Sequence, residues 1–113
     1  MTARIVNIEG KELVVLSRAE FDVLMEKAGV MPSLPKVARD GSVPAIEFAR
    51  ADVAREVVRR RISAGLSQQE LAKRVGVRPE TISRLEAGKH LPRTETMERI
   101  DRVLPALKPV KNH

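Results

Sequence analysis

The chain has 113 residues, enough for one domain or for two small modules joined by a linker. It contains no Cys, which excludes a disulfide framework and thiolate chemistry and favours a reducing, cytoplasmic location. Its longest apolar run, residues 13–16, is far shorter than a membrane span or the core of a signal peptide. We therefore expect a soluble protein with no membrane partner.

The charge is distributed unevenly along the chain. Residues 1–49 hold 6 basic and 7 acidic side chains, whereas residues 50–113 hold 15 and 8, so the net charge of +6 comes from the C-terminal half. A compact basic region usually faces a polyanion, most often nucleic acid. Solvated arginines on helices would give the same charge, so both interpretations stay open. The aromatic residues are limited to Phe21 and Phe48, which argues against a single-strand binder that stacks bases on aromatic rings.

The first zone, residues 1–29, predicts a β-hairpin followed by a helix. Two runs rich in β-branched residues, 4–8 and 12–16, flank the turn sequence EGK. Ser17 and Glu20 have the spacing of a capping box, and an apolar stripe of helical period then runs to Gly29. A lone two-stranded hairpin is marginal, so we expect this zone either to pack on the helical half or to pair with a second copy through an open strand edge. We favour the pairing.

Turn-forming sequences separate this zone from a longer helical region. MPSLPK and RDGS, within residues 30–43, predict a linker. Helical patterning then dominates from Pro44 to about Leu104. The predicted organisation is a dimerisation or partner-binding module at 1–29, a linker at 30–43, a helical domain at 44–107 and a flexible tail at 108–113.

Residues 66–88, LSQQELAKRVGVRPETISRLEAG, contain a Gly and a Pro between two helical patterns. Ser67 opens a capping box for the first helix, which ends at Gly76. Arg78 takes the next N-cap position, and Pro79 takes the first helical position, where its missing N–H and fixed φ suit a helix start. The final Gly supplies a left-handed cap. Local chemistry therefore predicts two helices joined by a tight turn, a helix-turn-helix.

Helices on both sides of this motif complete the predicted bundle. Their apolar stripes are Ala54, Val57, Val58 and Ile62 before the motif and Met97, Ile100, Leu104 and Leu107 after it. Arg61 lies on the apolar face of the first flanking helix, and Glu86 lies on the apolar side of the second motif helix. Because a lone buried charge costs several kcal/mol, we expect the two to form a partly buried ion pair. The alternative is that both side chains extend to water.

The sequence RRRISAGLSQQELAKRVGVRPETISRLEAGKHLP resembles the core of the Xre/Cro/phage-repressor family of helix-turn-helix DNA-binding domains. The resemblance covers residues 50–107 and includes an Arg, LSQ-x-x-LA, a GV turn, IS-x-LE-x-G and a trailing basic residue, in that order. It implies a mainly α fold, a four- to five-helix lambda-repressor-like bundle, preceded here by the small β-hairpin and a helix. The N-terminal sequence GKELVVLSRAEFDVLMEKAG more weakly resembles the strand-and-helix part of Phd/YefM-type antitoxins.

The Xre resemblance implies that the second motif helix, residues 79–87, enters the major groove by its N-terminal end. By matched position, the residues facing base edges are Arg78, Pro79, Glu80, Ser83 and Arg84. Arg84 can bond guanine O6 and N7 in a bidentate fashion. Glu80 can accept from cytosine N4 or can simply favour the positive helix start, and both interpretations stay open. Pro79 replaces the Gln or Ser of many relatives and offers only apolar contact.

The same resemblance implies phosphate contacts from two further places. Gln68, at the start of the first motif helix, matches the family's phosphate-binding Gln, with backbone N–H groups and the helix dipole assisting. Lys89, His90 and Arg93 lie in the matching loop after the second helix.

The sequence then implies a function and an alternative. The first is a sequence-specific regulator of transcription, a repressor, that binds a palindromic double-stranded operator as a homodimer. The alternative is an antitoxin that binds a small toxin protein and regulates its own operon. Neither His90 nor His113 has Cys or carboxylate neighbours at metal-ligand spacing, and the sequence has no Gly-rich phosphate loop. We therefore predict no enzyme activity, catalytic residue, metal or cofactor.

Overall fold

The computed structural model describes residues 3–105 and is mainly helical, as the sequence predicts. The predicted tail at 108–113, together with Leu107 and His113, lies outside the described residues. Among residues 3–105, no helix is both long and apolar enough to cross a membrane. In chain order the elements are β1 (Arg4–Ile8), β2 (Lys11–Val15), α1 (Arg18–Lys27), α2 (Ala45–Ser63), α3 (Gln68–Val75), α4 (Pro79–Glu86) and α5 (Thr94–Val103).

Strands β1 and β2 form an antiparallel hairpin across a two-residue turn. Ile8 pairs with Lys11, and the residues between them, Glu9 and Gly10, have φ of 52° and 81°. Two positive φ values in succession are what a type I′ turn requires. The prediction that the second strand begins at Glu12 is wrong by one residue, because this turn needs only two residues and Lys11 already pairs with Ile8.

Helix α1 lies against α2 through charged side chains. Ser17 caps it, as predicted, by accepting a hydrogen bond from the backbone N–H of Glu20 at 3.1 Å. No residue of α1 is fully buried. Arg59 of α2 donates to both carboxylate oxygens of Asp22, each at 2.9 Å, and Arg55 donates to Asp22 at 3.2 Å and to Glu26. From the sequence, the N-terminal zone is expected either to pack on the helical half or to pair with a second copy. Helix α1 packs on the helical half.

The core lies between α2, α3, α4 and α5. Its buried members are Val57, Leu66, Leu71, Ala72, Val75, Ile82, Leu85, Ile100 and Leu104. In the stripe predicted for α2, Ala54, Val57 and Val58 are buried, but Ile62 is 36% exposed, so its assignment to the buried stripe is wrong. The stripe that begins at Ala54 reaches Arg61 two turns later, and Ile62 lies at its margin.

Candidate nucleic-acid interface

Local capping sets the geometry of the α3–α4 pair. Ser67 Oγ accepts from the backbone N–H of Glu70 at 3.0 Å, and Glu70 Oε1 accepts from the backbone N–H of Ser67 at 3.1 Å. The second bond is the main reason that the pKa of Glu70 lies below its ordinary value. Helix α3 ends at Gly76, whose φ of +82° is left-handed. The next helix begins with Arg78 at the N-cap and Pro79 at its first position, as predicted.

Helix α4 has one buried face and one exposed face. Ile82, Leu85 and Glu86 are buried. The residues predicted to face base edges are all exposed: Arg78, Pro79, Glu80, Ser83 and Arg84. Within residues 3–105, none of their polar side chains makes a hydrogen bond or an ion pair. Spacings of three and four residues place Glu80, Ser83 and Arg84 on one side of the helix. This side is therefore free to present its donors and acceptors to a ligand.

A buried charged network connects α2 and α4 with the start of α3. Arg61 donates to Glu86 through Nε at 2.7 Å and through Nη2 at 2.9 Å, so the ion pair expected from the sequence is present and bidentate. The Arg61 Nη1 atom also donates to the carbonyl of Leu66 at 2.9 Å. The exposed fraction of Glu86 is 2%, and its Oε1 accepts a third bond from Gln68 Nε2 at 3.0 Å. Every charge that is removed from water here thus has partners, as a buried ion pair requires.

The residues predicted to contact phosphates occupy two positions on the structure. Gln68 is half-buried at the first position of α3, and its bond to Glu86 uses one of the two amide hydrogens of its side chain. The others lie in the loop between α4 and α5, where Lys89 and Arg93 are exposed and His90 is half-buried. Both His90 and Arg93 line a surface cavity that also includes Thr81 of α4. The bond from Gln68 to Glu86 was not foreseen from the sequence, which offers no signal for it.

The basic side chains of the C-terminal half include a paired group and an exposed group. Four arginines of α2 are buried or half-buried and paired inside the protein: Arg55, Arg59, Arg60 and Arg61. A second group is exposed on α3, α4 and the following loop: Lys73, Arg74, Arg78, Arg84, Lys89 and Arg93. The four paired arginines of α2 are not available to an external polyanion, so the charge count alone overstates the size of the basic surface. Among residues 3–105, no group of three or more His, Asp or Glu side chains could hold a metal ion.

Comparison with known proteins agrees with this geometry. Residues 58–110 match the family model described as Helix-turn-helix. The chain is 50% identical over 46 residues to an uncharacterized HTH-type transcriptional regulator of Archaeoglobus fulgidus, an alignment covering 41% of this chain and 66% of that protein. It is 28% identical over 71 residues to a candidate multi-protein-binding factor 1 of Yarrowia lipolytica, covering 63% of this chain and 47% of that protein. The chain therefore spans between about half and two thirds of the length of these relatives.

Proposed function

We propose, from the premise that residues 58–110 are a helix-turn-helix domain of the Xre family, that the protein is a transcription regulator that binds double-stranded DNA. The observation that carries the proposal is the free side of α4, with its exposed and unpaired Glu80, Ser83 and Arg84. A major groove about 12 Å wide admits an α-helix, and base edges there are read by side chains of these types. The basic loop after α4 supports the proposal because its Lys89 and Arg93 are exposed.

Each side chain then has a role in the proposed complex. Arg84 donates two hydrogen bonds to guanine O6 and N7, and Glu80 accepts from cytosine N4. Ser83 and Arg78 add polar contacts, and Pro79 adds apolar contact only. Gln68, Lys89, His90 and Arg93 bind phosphates and fix the register of α4 without reading sequence.

In its finer form the proposal is a cytoplasmic repressor that acts as a homodimer. Two-fold symmetric binding places two copies of α4 in successive major grooves, about 34 Å apart or a multiple of that distance, on a palindromic operator. The hairpin supports such pairing because, within residues 3–105, no further strand pairs with its outer edges. Ile5 and Val14, which face each other across it, are 74% and 64% exposed.

A second candidate function, an antitoxin with a toxin partner, is favoured by where the exposed apolar side chains lie. Within residues 3–105, every large hydrophobic side chain that is exposed lies between residues 5 and 46, except Ile62 and Leu91. Exposed apolar surface concentrated in one part of a protein is typical of a protein-binding region. In this proposal a toxin or a second copy of the chain covers some of these side chains, and the DNA-reading half is compatible with either partner.

Selection of DNA from a pool of random duplexes tests the main proposal. The expected result is enrichment of a palindromic sequence, with bound DNA protected in two half-sites. Recovery of no sequence preference at moderate salt would contradict the proposal. Co-purification from the native host, followed by identification of any small protein retained, tests the antitoxin alternative separately.

A further inference from the structure

Residues 29–32, which we call the connector, join the N-terminal part of the chain to the end of the proposed recognition helix. Met31 anchors the connector and is 3% exposed. Across residues 3–50 it is the one buried side chain, in a stretch of sequence that predicts a solvent-exposed linker. Its burial shows that the connector is packed structure, and the neighbours on each side indicate what it does.

On one side the connector is bonded to α1 and α2. The backbone N–H groups of Val30 and Met31 both donate to the carbonyl of Met25, at 2.9 and 3.2 Å. Arg55 Nη1 donates to the carbonyl of Pro32 at 3.0 Å. The same guanidinium binds the two α1 carboxylates described above, so one side chain holds α1 and the connector together. A movement of α1 away from α2 would therefore displace the connector.

On its other side the connector lies next to Gly88, two residues after the end of α4. Gly88 has a φ of +72°, and a Cβ built on it would lie 3.5 Å from Cγ of Pro32 and 3.7 Å from Cα of Ala51. The Pro32 ring therefore lies beside Gly88, in the space that a side chain at this position would enter. In the turn that ends α4, the backbone N–H of Gly88 donates a hydrogen bond to the carbonyl of Leu85 at 3.0 Å.

The connector also forms one wall of a cavity beside the proposed DNA-facing surface. The connector residues line one side of this cavity, and Gln68, Ser83, Glu86 and Ala87 line the rest together with Arg61. Gln68 and Ser83 are proposed DNA contacts, whereas Arg61 and Glu86 hold α4 to α2. The connector is therefore placed where a small shift would change how α4 is presented to DNA.

We infer that the connector positions the C-terminal end of α4, so that docking of α1 on α2 and DNA binding are energetically coupled. This inference rests on the proposed function for its DNA side only. A protein that draws the hairpin and α1 away from α2 would weaken DNA binding. By linkage, DNA would weaken the binding of that protein by the same factor.

Met31→Asp in the full chain tests the coupling. Undocking of the connector should accelerate hydrogen exchange at the amides of residues 87–89 and weaken binding to the selected duplex, each about tenfold, a typical size for coupling between sites. Because Met31 lies outside the core cluster, the circular dichroism spectrum should stay helical. The matched control is Val37→Asp, which adds the same charge at a 65% exposed position and should change neither readout. Met31→Leu, which keeps an apolar side chain at this position, should leave hydrogen exchange at residues 87–89 and affinity for the selected duplex unchanged.

Pro32→Gly provides a second variant without a buried charge, in case Met31→Asp fails to fold. It removes the ring that lies beside Gly88 and should accelerate hydrogen exchange at the same amides. Unchanged exchange at residues 87–89 in either folded variant would overturn the positioning role, and faster exchange with unchanged duplex affinity would overturn the coupling. If the unaltered protein selects no DNA sequence, the proposed function fails, and the exchange rates alone decide whether the connector positions α4.

Discussion

At the scale of single residues, the roles proposed for Arg84 and Lys89 are distinguishable because one reads a base and the other a phosphate. Both side chains are exposed, and neither is paired within residues 3–105, so alanine should leave the fold intact in each case. Arg84→Ala should cost about 1–3 kcal/mol on the selected duplex and little on random DNA. Lys89→Ala should instead weaken binding to both and reduce its salt dependence. Fluorescence anisotropy at several salt concentrations measures the difference, and equal losses on the two duplexes for Arg84→Ala would contradict its role.

The Arg61–Glu86 pair gives a prediction about stability. Arg61→Met alone leaves the carboxylate of Glu86 buried with only Gln68 as partner, and Glu86→Leu alone leaves the guanidinium without its carboxylate. Each single change should lower the free energy of unfolding by about 3 kcal/mol, whereas the double change should cost much less.

Urea unfolding of the unaltered protein, the two single variants and the double variant completes a double-mutant cycle. Additive losses would show that the two charges act independently in spite of their contact. Arg50→Met is the control. This half-buried Arg of the same helix makes no ion pair within residues 3–105, so its replacement should change the free energy of unfolding much less than Arg61→Met does.

At the scale of elements, the docking of α1 on α2 should depend on pH. The hydrogen bonds from Arg59, more than any other contact, hold the pKa of Asp22 below its ordinary value of 3.8. A carboxyl group with a lowered pKa in the folded state stabilises that state above its unfolded pKa, and this stabilisation is lost as pH falls through the folded pKa. Docking of α1 should therefore weaken below about pH 4.

Asp22→Asn tests this assignment. The variant should lose about 1 kcal/mol of stability at pH 7, because Arg55 and Arg59 keep other partners, and it should lose less on acidification than the unaltered protein. Denaturant unfolding between pH 3 and 7 measures both effects. Asp52→Asn, an exposed change on α2, is the control. An unchanged acid dependence in Asp22→Asn would contradict the role of Asp22.

The elements that the sequence predicted best are those formed by neighbouring residues. The capping box at Ser67, the left-handed Gly76 and the start of α4 at Pro79 depend on contacts within about four residues, so the motif could be located to the residue. The Arg61–Glu86 pair could be predicted because two charges occupied otherwise apolar stripes. Nothing comparable indicated the burial of Met31 or the pairing of Arg59 with Asp22. Arg59 and Asp22 are 37 residues apart, and the local sequence around Arg59 is the same as that around an arginine exposed on a helix surface.

At the scale of the whole molecule, the hairpin and α1 should determine the oligomeric state. Deletion of residues 1–29 removes both strands and α1 but none of the core cluster. The remaining chain should be a folded monomer that binds a half-site weakly, whereas the full chain should be a dimer.

Analytical ultracentrifugation at tens of micromolar distinguishes these species. A monomeric full chain, or a truncated chain that still dimerises, would show that the hairpin is not the interface. The sequence does not determine the partner of the hairpin, because the same strand edge can pair with a second copy of the chain or with another protein.

The three consecutive arginines of α2 have a consequence for how this protein tolerates changes in length. Because a helix turns about 100° per residue, Arg59, Arg60 and Arg61 point in different directions. They bind Asp22 of α1, Asp101 of α5 and Glu86 of α4, respectively. Substitution of one arginine breaks one of these attachments. Insertion or deletion of a single residue just before Arg59 would rotate all three relative to the core residues of α2, so we expect α2 to be far less tolerant of indels than of point changes. Deep insertion and deletion scanning, read by the yield of folded protein, would test this.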